Sequence, residues 1–163
     1  MNLYLIRHAE AAPLGEGGVT DDAERPLTEK GRKQARFVAE ALQARGIRLG
    51  MVLTSPLLRT RQTAEGIVQS WKAPAPELQR CDELAPGGKR RKLSRRLRDL
   101  GGDAVALVGH QPDLNDYTAW LIGSRKAQIE LAKGGVACVS CADDVDKGAG
   151  ALLWMLTPQW MGE

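Results

Sequence analysis

The sequence predicts an α/β fold, a three-layer α/β/α sandwich around a mostly parallel central sheet with an antiparallel edge. Short apolar segments alternate with amphipathic segments of helical spacing up to about residue 122, which is typical of parallel sheets. Two later strand patterns follow each other without a helix between them, which indicates an antiparallel pair. The chain has 163 residues, of which 43% are hydrophobic and 26% charged, so we expect one domain over residues 1–163.

Five segments have the short apolar runs that are typical of strands. Residues 3–6, 51–54 and 104–108 are almost wholly apolar, as expected for the buried parallel part of the sheet. Residues 136–140 and 151–156 form the late pair.

Four segments of helical spacing separate these strands, and local signals mark several of their ends. Thr28 is an N-cap candidate for the first helix, and Gly46 is its stop signal. Ser55 and Pro56 are expected to be the N-cap and first helical position of the second helix. The predicted helices cover about residues 29–45, 56–71, 89–100 and 111–122. Residues 11–27 and 72–88 contain Pro and Gly and are interpreted as loops.

Composition and charge exclude several classes of protein. No apolar stretch approaches the ~20 residues that cross a bilayer, and Arg7 and His8 interrupt the first apolar run too early for a signal peptide. Three cysteines, an odd number, argue against a disulfide framework and favour a reducing cytoplasm. The net charge of +3 is compatible with an anionic substrate but does not indicate nucleic acid.

The chain has two histidines, and both follow a predicted buried strand. His8 comes after the first strand together with Arg7, and His110 comes after the third. Open α/β sheets bind ligands at these carboxyl ends of their strands. Arg59 lies in the first turn of the second helix, where free N–H groups and the helix dipole attract phosphate. Two arginines and two histidines around one pocket would bind a phosphoryl dianion and keep an imidazole neutral, as a nucleophile requires.

The same residues carry a resemblance to a known family. Arg7-His8-Ala9 is similar to the Arg-His-Gly signature of the histidine phosphatase superfamily, also called phosphoglycerate mutase-like, and departs from it at Ala9. With the short length of the chain, the pattern resembles the SixA-type branch, the phosphohistidine phosphatases. The resemblance spans about residues 3–125 and continues in Arg25-Pro26-Leu27-Thr28, Thr54-Ser55-Pro56 with Arg59, Asp82-Glu83-Leu84 and Val108-Gly109-His110.

This resemblance implies a role for each site residue. His8 would be the phosphorylated nucleophile, and Arg7, Arg59 and His110 would bind the phosphoryl group. Glu83 is the candidate proton donor. Because the imidazole of a phosphohistidine departs readily, Glu83 could equally be structural. No metal and no cofactor are implied.

The substrate class follows from the space around the pocket. The short segment between Arg59 and Glu83 leaves little material for a lid, and an open pocket suits a phosphorylated side chain on another protein. We therefore expect a phosphatase for phosphohistidine on a signalling protein, such as a phosphotransfer domain or carrier. A small-molecule phosphomonoesterase and a non-catalytic phosphate-binding module are the alternatives.

Two further motifs are interpreted as structural. Residues 89–98 are strongly basic, but Leu93 and Leu97 form an apolar stripe, so we interpret them as the solvated face of a core-facing helix. A docking surface for an acidic partner is the next interpretation, and the lack of interleaved aromatics does not favour nucleic acid. Cys138 and Cys141 have no second pair to complete a zinc site and are interpreted as buried thiols.

Overall fold

The structure, a computed structural model, describes residues 1–142 and 144–161 and contains one sheet in the strand order β3-β2-β4-β1-β5-β6. The strands are β1 (Asn2–Arg7), β2 (Met51–Thr54), β3 (Glu77–Arg80), β4 (Ala104–Gly109), β5 (Val136–Cys141) and β6 (Gly150–Leu156). The α-helices are α1 (Glu29–Ala44), α2 (Leu58–Gln69), α3 (Arg90–Leu100) and α4 (Asp113–Leu121). Short 3-10 helices cover Glu16–Gly18, Asp22–Glu24, Asp82–Leu84 and Pro158–Met161.

The pairing of the strands confirms the predicted sheet. β3, β2, β4 and β1 are mutually parallel, because α1, α2 and α3 connect β1 to β2, β2 to β3 and β3 to β4, so that each strand starts at the same end of the sheet. β5 pairs antiparallel with β1, and β6 pairs antiparallel with β5. The late strand pair is therefore the antiparallel edge that the sequence predicts.

The helices cover both faces of the sheet and complete three layers. α1 and α2 pack on one face through Val38, Leu42 and Ile67, and α3 and α4 pack on the other through Leu97 and Tyr117. All five side chains are almost fully buried. Burial of such side chains on both faces is the main stabilising contribution in a sandwich of this kind.

β3 corrects the prediction that residues 72–88 form a loop. Its four residues are polar except for Leu78, and Glu77 and Arg80 are exposed. β3 lies at the edge of the sheet and pairs only with β2, so it needs no continuous apolar run. Charged side chains on an edge strand also discourage pairing with other chains.

The start of α2 corrects a second prediction. The helix begins at Leu58 with Leu57 at the N-cap, so Ser55 is not the cap and Pro56 is not helical. By contrast, the predicted cap of α1 is confirmed, since the Thr28 hydroxyl accepts the Gly31 N–H at 3.0 Å.

The two cysteines are buried, as predicted, and both lie on β5. Cys138 packs in the core under α1 and α2, and Cys141 packs in the core under α3 and α4, because positions three apart on a strand point to opposite faces. Cys81 is also buried, and all three thiols are free. Within residues 1–142 and 144–161, no helix is long and apolar enough to cross a bilayer.

Candidate active site

The candidate site lies where the central parallel strands end. β1 and β4 are neighbours, so that Arg7 pairs with Gly109, and β2 flanks β4 on its other side. The residues that follow the three strands therefore meet at one edge of the sheet: His8, His110 and Ser55. The two imidazole rings are 5.4 Å apart between centroids. In open α/β sheets, ligands bind at this end of the sheet, beyond the carboxyl ends of the parallel strands.

His8 is held in one defined orientation. Its backbone N–H donates to a strand-end carbonyl, and its Nδ1 lies 2.8 Å from the Ala9 carbonyl oxygen. Because a carbonyl only accepts, Nδ1 carries the hydrogen and Nε2 carries the lone pair. Burial, with Arg59, Arg7 and Lys133 nearby, lowers the pKa of His8 to about 4, despite the opposing hydrogen bond to Ala9. The ring is thus a neutral imidazole at neutral pH.

Arg59 is a buried cation in the first turn of α2, with 6% of its surface exposed. Its Nη1 donates to the Asp22 carbonyl oxygen at 2.7 Å, and its Nη2 donates to the Asp22 carboxylate at 3.0 Å. The loop before α1 therefore reaches across the site. This contact orients the guanidinium and partly neutralises it.

Three buried polar atoms at the site have no hydrogen-bond partner in the described part of the chain: Arg7 Nε, Arg59 Nε and His110 Nδ1. Arg7 is otherwise fixed by an Nη1 hydrogen bond to the Leu131 carbonyl at 2.9 Å. Unpaired buried donors are costly, and they are uncommon outside functional sites. The two guanidinium N–H groups are suited to phosphoryl oxygens.

His110 is joined to a serine that the sequence prediction treated as a helix cap. Its Nε2 lies 2.8 Å from Ser55 Oγ, and Ser55 is fully buried. Burial, together with Arg59 and His8, lowers the pKa of His110 to about 3, so this ring is neutral too. Ser55 Oγ also accepts a long bond, 3.5 Å, from the Leu57 N–H.

These contacts assign the tautomer of His110. In the described part of the chain, Ser55 Oγ has hydrogen-bond contacts with His110 Nε2 and with the Leu57 N–H, and of these two groups only Nε2 can accept. If Ser55 donates to Nε2, the single ring hydrogen of His110 must lie on Nδ1. The unpaired Nδ1 is then a donor, which a phosphoryl oxygen can accept. The other tautomer would present a lone pair that repels a dianion.

Replacing Ser55 with Ala is expected to lower kcat/KM by roughly 10- to 100-fold, because a misaligned donor loses transition-state stabilisation. The direct measurement is the imidazole ¹⁵N NMR spectrum, which contains two rings because the chain has two histidines. The wild-type His110 should show a protonated Nδ1, and the Ser55→Ala protein a mixture of tautomers.

Ser94→Ala provides a matched control for this variant. Ser94 lies on α3 and is 1% exposed. Its hydroxyl lies 2.8 Å from the hydroxyl of Tyr117 on α4. The control removes an equally buried hydroxyl and should leave the ring spectra unchanged. An unchanged tautomer in Ser55→Ala would show that the serine does not set it.

Glu83 lies on the 3-10 helix after β3 and borders the same small cavity as His110. Its Oε2 accepts from the Cys81 thiol and from Arg96, each at 3.4 Å. Its own backbone N–H, then the thiol and the Arg96 guanidinium, lower the pKa of Glu83 against the effect of burial. The carboxylate is therefore ionised at neutral pH, whereas a general acid needs a raised pKa.

The structure therefore brings four of the sequence-predicted residues together and adds two. Arg7, His8, Arg59 and His110 surround one point at the strand ends, and Glu83 lies at the margin. The two additions are Asp22, which contacts Arg59, and Ser55, which contacts His110. Within the described ranges, no group of three or more His, Cys, Asp or Glu residues could hold a metal ion.

Known proteins are similar to this chain over nearly its whole length. The family model "Histidine phosphatase superfamily (branch 1)" matches residues 3–99. The phosphohistidine phosphatase SixA of Escherichia coli K12 is 27% identical over 161 residues, which cover 97% of this chain and 94% of that protein. An uncharacterised protein of Picosynechococcus sp. PCC 7002 is 36% identical over 99% of both chains.

A solved structure agrees with these matches. The structure of the protein histidine phosphatase SixA complexed with tungstate superposes with a TM-score of 0.84 and 27% identity, covering 99% of both chains. Sequence and fold therefore agree: the chain belongs to the histidine phosphatase superfamily and is similar to its SixA-type members.

Proposed function

We propose that this phosphatase removes the phosphoryl group from phosphohistidine on a signalling or phosphotransfer protein, through a covalent phosphohistidine at His8 and without a metal or cofactor. One observation carries the proposal. His8 is a neutral imidazole whose Nδ1 hydrogen is bound to Ala9, which leaves the Nε2 lone pair available beside Arg7, Arg59 and His110. A cytoplasmic location agrees with the three free, buried thiols.

The reaction proceeds in two displacements. The Nε2 lone pair of His8 forms a bond to phosphorus as the P–N bond of the substrate breaks. The bonding electrons leave with the substrate imidazole, which takes a proton from solvent. Water then attacks phosphorus, the Nε2–P bond breaks with its electrons returning to His8, and inorganic phosphate is released.

Arg7, Arg59 and His110 supply the electrostatic part of catalysis. The free N–H groups of the two arginines and of His110 Nδ1 would donate to the phosphoryl oxygens, whose negative charge is redistributed in the transition state. All three side chains are held by other contacts, so little reorganisation is needed when the substrate binds.

A protein substrate is supported by the shape of the chain around the site. The segment after Arg59 consists of the rest of α2, a short connection, and β3, so it contributes no roof over the strand ends. An ionised Glu83 also fits a substrate whose leaving group needs no strong acid.

The test compares two substrates with the wild-type protein. Phosphate release would be measured from a histidine-phosphorylated phosphotransfer domain and from p-nitrophenyl phosphate. A kcat/KM for the phosphoprotein at least 10²-fold higher supports the proposal. The reverse ranking supports a small-molecule phosphomonoesterase, and binding of both without turnover supports a non-catalytic phosphate-binding module.

Replacing Glu83 with Gln is expected to change kcat on the phosphoprotein by less than about threefold, because the ionised carboxylate cannot donate a proton. The variant keeps the size of the side chain, and its thermal midpoint checks that the Arg96 contact is not essential for folding. A loss of about 10²-fold or more would identify Glu83 as the general acid.

A further inference from the structure

The exposed face of α3 carries three cations that form no ion pair with any residue in the described part of the chain. Leu93 and Leu97 are buried and fix the helix against the sheet. Arg91, Lys92 and Arg95 are exposed and form no ion pair or hydrogen bond through their side chains with any described residue. Two other arginines of the helix do have acidic partners: Arg96 pairs with Glu83, and Arg98 pairs with Asp144 and Asp146.

This basic face, defined as Arg91, Lys92 and Arg95, begins at the margin of the site. Arg90, the first residue of α3, lines the same small cavity as His110 and Glu83. A helix rises about 1.5 Å per residue, so Arg95 lies only about 8 Å further along the axis. A standard protein interface covers about 800 Å² on each partner, roughly 30 Å across. One partner can therefore cover the phosphoryl pocket and the basic face together.

We propose that the basic face binds an acidic surface beside the phosphohistidine of the substrate protein. This inference rests on the proposed function, because the protein that binds the basic face is the phosphohistidine substrate itself. Cations that have no anionic partner and lie close together on one helix create a positive surface potential. This potential attracts and orients an acidic partner. Nucleic acid would be attracted by the same charge, but the basic face contains no aromatic residue, and Trp120, which lines a cavity with Arg91 and Arg95, is already stacked on Tyr117.

The chain offers a matched control for this surface. Arg91→Glu with Arg95→Glu reverses two cations of the basic face. Arg48→Glu with Lys72→Glu reverses two exposed cations that precede β2 and β3, at the opposite end of the strands from the site. Both double variants change the net charge equally, so a difference between them reports position and not total charge.

Each protein would be assayed on a histidine-phosphorylated phosphotransfer domain with acidic residues around its phosphohistidine, and on p-nitrophenyl phosphate. At about 10 mM salt, the basic-face variant should raise KM for the phosphoprotein roughly 10-fold, with kcat unchanged. The effect should shrink near 0.5 M salt, because screening shortens the range of surface charges. The control variant should stay within about twofold, and neither variant should alter turnover of the aryl phosphate.

The outcomes separate the two proposals. If the wild-type protein turns over p-nitrophenyl phosphate but not the phosphoprotein, the proposed function fails and the docking surface fails with it. If the phosphoprotein is a good substrate and the basic-face variant has a normal KM, only the docking proposal is overturned. Loss of single-stranded DNA binding in the basic-face variant, with normal KM for the phosphoprotein, would instead make the face a nucleic-acid surface.

Discussion

Replacement of His8 with Asn is expected to abolish turnover, with kcat falling by about 10⁴-fold or more. An Asn side chain can donate an amide hydrogen to the Ala9 carbonyl, as Nδ1 of His8 does, but it has no nucleophilic lone pair. The substitution therefore removes the chemistry and keeps the local hydrogen bond. Steady-state phosphate release on the phosphoprotein measures the loss.

The covalent intermediate gives a second readout of the same variant. Wild-type protein mixed briefly with ³²P-labelled substrate should carry an acid-labile, base-stable label, and the His8→Asn protein should carry none. A His110→Gln protein is the control, since it keeps His8 and should still be labelled, more slowly. Label or rapid turnover in His8→Asn would contradict the proposed mechanism.

The same histidine is expected to make stability depend on pH. Its pKa is about 4 in the folded protein, because of burial and the nearby arginines, and ~6.5 in an unfolded chain. Between these values the unfolded state binds a proton that the folded state does not, so the free energy of unfolding falls as pH falls. Urea unfolding from pH 7 to 4.5 should show a smaller loss of stability in His8→Asn than in wild type. Equal losses would contradict a buried neutral His8.

The fold was predictable where one physical signal dominates. The apolar runs of β1, β2 and β4 need both faces buried, so their pattern survives in the sequence. β3 is not predictable from the sequence, because an edge strand with a polar face has no such apolar pattern and its position depends on pairing with β2. The strand conformation of β3 therefore depends on its tertiary contacts with β2.

The site also contains some residues that the sequence predicts and others that it does not. His8 and His110 could be placed because each directly follows a buried strand, and the strand order then brings them to one edge. Asp22 could not, because its contact with Arg59 depends on the path of a loop with no periodic signal. Ser55 was assigned to a cap, since Ser before Pro is a common helix start. Its hydroxyl instead bonds to a ring 55 positions away in sequence.

Replacement of Arg59 with Ala is expected to lower kcat/KM by about 10²- to 10³-fold, because the phosphoryl group loses a buried cation in the transition state. Arg59→Lys should recover little of the activity, because the three donors of an ammonium share one nitrogen. They cannot match the planar guanidinium, which reaches Asp22 through Nη1 and Nη2 and keeps Nε free. Kinetics on the phosphoprotein give the loss. Thermal unfolding checks the fold, because Asp22 loses its two contacts with the guanidinium in both variants and keeps its ion pair with Arg25. Full activity in Arg59→Lys would show that charge alone suffices.

Asp22→Asn separates the orienting role of this contact from its charge. The Asp22 carbonyl still accepts from Arg59 Nη1, so the guanidinium stays in place, while the competing negative charge is removed. Inorganic phosphate, measured as a competitive inhibitor, should therefore bind several-fold more tightly than to wild type. Weaker binding would mean that the carboxylate acts mainly by holding Arg59, and the acidic loop would then stabilise the site instead of limiting its affinity for the dianion.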